Sequence, residues 1–371
     1  MSRLQSILAL GALLFAVLTL LLPMGNFGGV PVATWTSIPA LIFLAATLAA
    51  IGAFRLRAPT PATGLLAAAG CALLIGWVEP MQGALAGFWA LLVLTWLLCW
   101  LFAEQLSADI RRGRVNDGFV GWLVPVAFGV AVLIAWEAIT RGANVPQVLL
   151  PAPSMIWARL TASVPTLAAD FVQTFKAVIV GFTLGCGAGF VVAILVDRSP
   201  FLKRGLLPIG NFVSALPIIG IAPIMVMWFG FDWPSKAAVV VAMTFFPMLV
   251  NTVAGLNASS SIERDLMRTY AANYWETLLK LRLPAAGPFI FNALKINSTL
   301  ALIGAIVAEF FGTPIVGMGF RISTEVGKLN IDLVWAEIAV AAVAGSAFYG
   351  VIALIERAVT FWHPSIRGGR T

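Results

Sequence analysis

Few side chains in this sequence are equipped for covalent chemistry. The one histidine, His363, lies near the C-terminus with no clustered Cys, Asp or Glu beside it. That argues against a metal centre and against His-activated nucleophiles. Three cysteines, Cys71, Cys99 and Cys186, sit inside apolar runs and read as small buried hydrophobes. No GxxxxGK[ST] phosphate loop is present, since Gly327-Lys328 lacks the flanking glycine and hydroxyl. The polar residues are invested elsewhere, chiefly in SSSIERDLMRTYAANYWETLLKLRLPAAGPF, residues 259–289. The spacing predicts two short helices with a bend. Ser261 caps the first, and Ile262, Leu266, Met267 and Tyr270 share one of its faces. Trp275, Leu278, Leu279 and Leu281 give the second its apolar contacts, and Pro284 ends it. Arg264, Arg268, Lys280 and Arg282 keep the surface basic. A segment of this kind seats in a protein partner or lies on anionic lipid, and the pattern leaves both open.

Other candidates lie in or beside apolar runs. Glu309 reads either as an outer gate or path contact, or as a structural carboxylate. In the second case its partner is Lys236, Arg321, Lys328 or the nearby glycine loop. Asn292, Lys295 and Asn297 face a polar path or bond a neighbouring helix. Glu137 and Asp170 flank an outside segment, either meeting a partner or standing as exposed charge. Gly181, Gly185 and Gly189 form a ladder on one helix face, for packing inside a bundle or across a dimer seam.

The elements that must hold these residues are membrane helices. The chain has 371 residues, 60% apolar and 11% charged, with a mean hydropathy of +0.97. A soluble domain carries about 25% charge, so this composition excludes a soluble enzyme or a disordered chain. Ten spans are expected, near 5–23, 35–54, 63–79, 84–102, 118–138, 173–195, 209–229, 236–256, 286–308 and 334–356. Cations recur after every second span: Arg3; Arg55 and Arg57; Arg111, Arg112 and Arg114; Arg198, Lys203 and Arg204; Arg264, Arg268, Lys280 and Arg282; Arg357, Arg367 and Arg370. The alternate loops hold only Arg141, Arg159, Lys236, Arg321 and Lys328. This bias puts both termini in the cytoplasm. The scattered cations form no stripe for nucleic acid. Residues 1–102 read as a four-helix membrane extension, 103–117 as a cytoplasmic linker and 118–371 as a six-span core.

The core resembles the permease subunits of bacterial ABC importers, in the nitrate, sulfonate and taurine group. Their cytoplasmic coupling loop runs E-A-A, three residues, G, then about twelve residues to L-P. Asp265, Leu266 and Met267 stand at the E-A-A positions, Ala271 at the Gly, and Leu283-Pro284 at the closing L-P. The spacing is kept while most letters are substituted. LLPAPSMIWARL (149–160), ALPIIGIAPIMVMWFGF (215–231) and AEFFGTPIVGMGFRI (308–322) resemble further segments of that group, so the likeness covers about 118–368. The wording of 269–296 is most similar to permeases for hydroxymethylpyrimidine-type thiamine precursors. The four extra N-terminal spans are foreign to typical members.

The resemblance implies an all-α fold in which a six-helix type I importer core follows four added helices, in a bacterial inner membrane. It implies ATPase coupling through residues 259–284, with Tyr274 and Trp275 as the seated knob and Asp265 orienting the loop. The partners implied are cytoplasmic ABC ATPase subunits that use ATP-Mg, a periplasmic or lipid-anchored solute-binding protein, a second copy or a related permease, and membrane lipid. No cofactor is expected in this chain, which is not itself an enzyme. Pyrimidine-like heterocycles, sulfonates, nitrate and riboflavin-like compounds are the cargo classes open. The rival readings are an ATP-independent secondary transporter and a non-transporting scaffold. The first requires ionisable residues deep in several spans, whereas these spans are nearly charge-free.

Overall fold

The structure is a computed structural model that describes residues 3–27, 30–53, 59–78, 81, 83–115, 120–214, 217–312 and 315–362. The expected boundary between linker and core at 117/118 lies outside the described residues, as do Arg55, Arg57, His363, Arg367 and Arg370. Among the described residues, eight helices are long and apolar enough to cross a membrane. They are α1 (Arg3–Leu21), α3 (Thr60–Val78), α4 (Ala86–Arg111), α5 (Leu123–Gly142), α7 (Val164–Arg198), α10 (Trp233–Leu256), α13 (Leu283–Glu309) and α15 (Ile331–Val359). Two shorter apolar helices, α2 (Ile38–Ala53) and α9 (Ile218–Phe229), stand where two more spans were expected. The remaining helices are α6 (Pro153–Ala162), α8 (Pro200–Ser214), α11 (Ser261–Thr269), α12 (Tyr274–Thr277) and α14 (Met318–Gly327).

The expected span at 209–229 is not one helix. It is split between α8 and α9, with Pro217 as the N-cap of α9. Proline disfavours helical geometry in the residue before it and lacks the amide N–H a continuous helix needs. A small antiparallel hairpin, Pro23–Phe27 with Val30–Ala33, fills part of the first connection.

The chain packs as two units, Met1–Ala158 and Arg159–Thr371. In the first, α4 packs against α1, α3 and α5. The core there joins Ala9, Ala12 and Ala16 of α1 to Leu91, Leu94 and Leu98 of α4. Small residues on one helix let the leucines of its neighbour come close, the usual basis of helix association in lipid. The unit thus includes α5, which the sequence reading groups with the six-span core.

In the second unit α10 lies between α7 and α13. The glycine ladder explains the α7–α10 contact. A Cβ at Gly181 would stand 2.5 Å from Val240 Cβ, and one at Gly189 2.5 Å from the Phe245 carbonyl oxygen. A Cβ at Gly185 would overlap the Thr244 hydroxyl. Gly181, Gly185 and Gly189 therefore face a helix of their own chain. Overpacking of such a contact costs about 1–3 kcal/mol. Gly185→Val is expected to lower thermal stability by at least that order, read as an earlier unfolding midpoint of the purified protein in detergent. Gly187→Ala, at a glycine with open space around it, is expected to leave the midpoint near that of the wild type.

Candidate functional site

The segment 259–289 folds as a hairpin of α11 and α12 that runs on into α13. Ser260, rather than Ser261, is the N-cap of α11: its hydroxyl accepts from Glu263 N–H while Glu263 returns a bond to the Ser260 N–H. Asn273 and Glu276 repeat this reciprocal box at α12. Each box satisfies backbone donors that a helix start leaves orphaned. The end of α11 is equally specific. Ala272 N–H donates to the Met267 carbonyl at 3.0 Å and Ala271 N–H to the Arg268 carbonyl at 2.9 Å, a Schellman closure. It places Ala271 at φ 54°, in the left-handed region. That conformation costs an L-residue about 1–2 kcal/mol and glycine almost nothing. The position assigned to Ala271 by its spacing is thus one whose backbone favours glycine.

Pro284 does not end the second helix. Leu278–Arg282 widens into a π-helical turn and the chain continues through Pro284 into α13. The proline lacks an amide hydrogen and sits at the second position of α13, directly after the widened turn, where the ordinary i→i−4 ladder is already relaxed.

Three side chains clamp the hairpin to the bundle. Arg282 donates twice to Asp197, at 2.7 Å from each terminal nitrogen, and its Nε donates to the Leu256 carbonyl at 2.9 Å. The Tyr274 hydroxyl donates to Asp197 at 3.0 Å. Leu278 is buried against Leu256 and Ala286. The Arg198 guanidinium lies 5.4 Å from the Tyr274 ring centroid and 5.8 Å from that of Trp275, within cation–π range. Arg282, read from the sequence as a surface cation, is instead the half-buried centre of this clamp. Tyr274 is half-buried and bonded to its own bundle.

Outward, the hairpin presents Ile262, Leu266 and Tyr270, which are 79%, 56% and 78% exposed, and Trp275, which is 51% exposed. The first three recur every four residues on one face of α11. Met267 is half-buried and Ala271 is exposed. The Asp265 carboxylate pairs with Arg268 at 3.3 Å in solvent, a pair of little energetic weight. Leu283 and Pro284 are half-buried at the start of α13.

The polar residues of α13 are largely tied within the bundle. Lys295 pairs with Glu356 at 2.8 Å. Asn297 is buried, its amide donating to the Thr244 carbonyl at 2.8 Å and to Cys186 Sγ at 3.1 Å. Asn292 is exposed.

At the far end of α13, Glu309 is buried and joins a carboxylate latch. Glu309 accepts from the Thr174 hydroxyl at 2.8 Å and from Gly319 N–H at 2.7 Å. Thr174 in turn accepts from Met318 N–H at 2.9 Å. Asp170 accepts from Gly317 N–H at 2.7 Å and from Arg321 Nε at 2.8 Å. Asp170, for which solvent exposure was one reading, is fully buried. Two carboxylates therefore satisfy the first amides of α14, where the helix dipole favours negative charge. Glycine is required at the contact: Gly317 has φ 142°, and a Cβ there would stand 2.8 Å from the Glu309 carboxylate. Lys236 is buried too, its ammonium donating to the carbonyls of Phe231 and Gly312.

Two nearby carboxylates, Glu325 buried and Asp232 exposed, are held in charged form. Lys328 and Asn330 keep Glu325 below the usual carboxylate range. Trp233 N–H, with help from Gln173, does the same for Asp232. Glu137 accepts from Ser154 N–H at 2.9 Å and from the Ser154 hydroxyl at 2.6 Å, closing the start of α6 and accounting for the serine in LPAPS.

Sequence reasoning missed Asp197, Asp170 and Thr174 as structural centres. A usable signal existed for two of them. Counting back from Gly185 and Gly181 by helical steps gives Ala177, Thr174 and Asp170, all on the buried face of α7.

Residues 181–361 match the family described as binding-protein-dependent transport system inner membrane component. The chain is also similar to curated permeases. It is 29% identical over 241 residues to the formylaminopyrimidine transport permease protein ThiX of Halalkalibacterium halodurans, covering 65% of this chain and 96% of the relative. It is 29% identical over 241 residues to the riboflavin transport system permease protein RibX of Chloroflexus aurantiacus, covering 63% and 88%. It is 27% identical over 267 residues to the putative aliphatic sulfonates transport permease protein SsuC of Bacillus subtilis, covering 71% and 96%.

Two substitutions test the site's construction. Asp197→Ala leaves the half-buried Arg282 without its carboxylate partner and is expected to cost about 1–3 kcal/mol, read by chemical or thermal unfolding. Ala271→Gly relieves the left-handed strain and is expected to stabilise the hairpin by up to about 1 kcal/mol, read as slower amide exchange at residues 267–273.

Proposed function

This chain is an ABC importer permease of the nitrate, sulfonate and taurine group, a multi-pass inner-membrane subunit that is not itself catalytic, and from that premise we propose that its α11–α12 hairpin is the site at which a separate ATPase drives transport. The observation that carries this reading is a pairing of properties in one hairpin. An apolar stripe (Ile262, Leu266, Tyr270) stands exposed, while the other side is locked to α7 and α10 through Asp197, Arg282 and the Leu256 carbonyl. A force-transmitting contact needs both a face for the partner and a stiff connection behind it.

In this mechanism the stripe and Trp275 seat in a cleft on the ATPase subunit. Two permease cores, identical or closely related, form the pathway. When ATP-Mg closes the ATPase pair, both hairpins move and the helices rock as rigid bodies between inward-open and outward-open packings. Each ligand biases that equilibrium only by its differential affinity for the two states. A periplasmic or lipid-anchored binding protein delivers the solute to the outward-open state. The termini lie in the cytoplasm. Residues 118–371 act as the transport core, with 1–102 as an added membrane extension and 103–117 as the link. Relatives of comparable similarity are named for formylaminopyrimidine, riboflavin and aliphatic sulfonates. We take a pyrimidine-like heterocycle as the first cargo to test, ahead of sulfonate and nitrate.

The test is a substitution in the stripe. Leu266→Asp with Tyr270→Ala replaces apolar contact by charge on a face already in solvent, so insertion and thermal stability are expected to stay near wild type. Co-purification of the ATPase subunit and uptake of cargo are expected to fall at least tenfold. Undiminished uptake in that variant would sink the coupling role.

A further inference from the structure

We propose that the cationic end of the N-terminal unit binds an anionic phospholipid by its headgroup. A cavity of about 770 Å3 opens there between the starts of α1, α3 and α5 and the end of α4. Its walls are of two kinds. Arg112 and Arg114, both exposed, stand with Gln5 and Thr60 at the polar side. Phe102, Leu106 and Leu123 supply the apolar lining.

The charge balance favours an anion. Asp109 also lines the cavity, accepting from the Thr60 hydroxyl at 2.6 Å and pairing with Arg114 at 3.5 Å. It therefore offsets one arginine in part, and Arg112 has no ion-pair partner among the described residues. Arg111 adds a further cation one residue away.

The depth of the cavity favours a lipid over a soluble anion. The helix α4 is apolar from Ala86 to Ala103 and turns polar at Glu104, so Arg112 and Arg114 lie where the chain leaves hydrocarbon. Basic pockets at that level suit phosphodiester headgroups. A free phosphate makes no use of an apolar lining, whereas the glycerol and upper acyl chain of a phospholipid pack against it.

The full chain, purified in neutral detergent, is titrated separately with phosphatidylglycerol, phosphatidylcholine and inorganic phosphate while its unfolding midpoint and native mass are followed. Phosphatidylglycerol is expected to raise the midpoint and remain bound in the native mass spectrum, and the other two to do neither. Arg112→Gln with Arg114→Gln is expected to weaken phosphatidylglycerol binding about fivefold for each arginine removed, while Arg204→Gln, in the other unit, leaves it unchanged. An equal response to phosphatidylcholine, an equal response to inorganic phosphate, or wild-type binding by the double variant would each overturn the proposal. If the double variant does not fold, the three wild-type titrations decide alone.

Discussion

The half-buried pair between Asp197 and Arg282 is the constraint on which the rest of the second unit turns. Neither charge is stable alone in a low-dielectric setting, so the end of α7 and the hairpin must stay together in the folded chain. The third Arg282 bond, to the Leu256 carbonyl, brings in the end of α10 and occupies an acceptor that the last turn of a helix leaves open. One guanidinium thereby fixes three elements, and its planar fork does so in a single geometry. Hydrophobic contact at Leu278 adds burial without direction; the ion pair supplies the direction.

The opposite end of the same unit uses a different solution to a related problem. The short helix α14 starts without a side-chain cap of its own. Its first amides are met by Asp170 and Glu309 from α7 and α13, with Thr174 between them. This arrangement makes both carboxylates structural, and it explains why the sequence there is Gly-Met-Gly: only residues without a Cβ let the backbone come so near.

The membrane character, the elements and the register of the hairpin were legible from the residues. Apolar length marks spans because lipid offers the backbone no hydrogen-bond partners, and the spacing from Asp265 to Leu283-Pro284 marks the hairpin because its turns allow few alternatives. Ala271 shows how far that legibility reaches, since the substituted letter still sits on the left-handed backbone that the pattern's glycine serves. The clamp was not legible. Asp197 is a single acid beside a row of cations, and its partner lies 85 residues away, a distance across which only the folded chain pairs them. The cap at Ser260 and the passage of helix through Pro284 were misread for local reasons: three serines compete for one cap position, and a π turn leaves no mark in composition.

The widened turn before Pro284 has a mechanical corollary. By making room for the proline instead of breaking there, it keeps Tyr274–Glu309 as one helical run of 36 residues. At 1.5 Å per residue such a run is roughly 54 Å long, more than the hydrocarbon thickness of about 30 Å. One end carries the rings and guanidinium packed beneath the hairpin; the other carries the carboxylate that holds the glycine turn. One continuous helical run thus links the packing beneath the hairpin to the glycine turn, and its length exceeds what a bilayer's hydrocarbon requires.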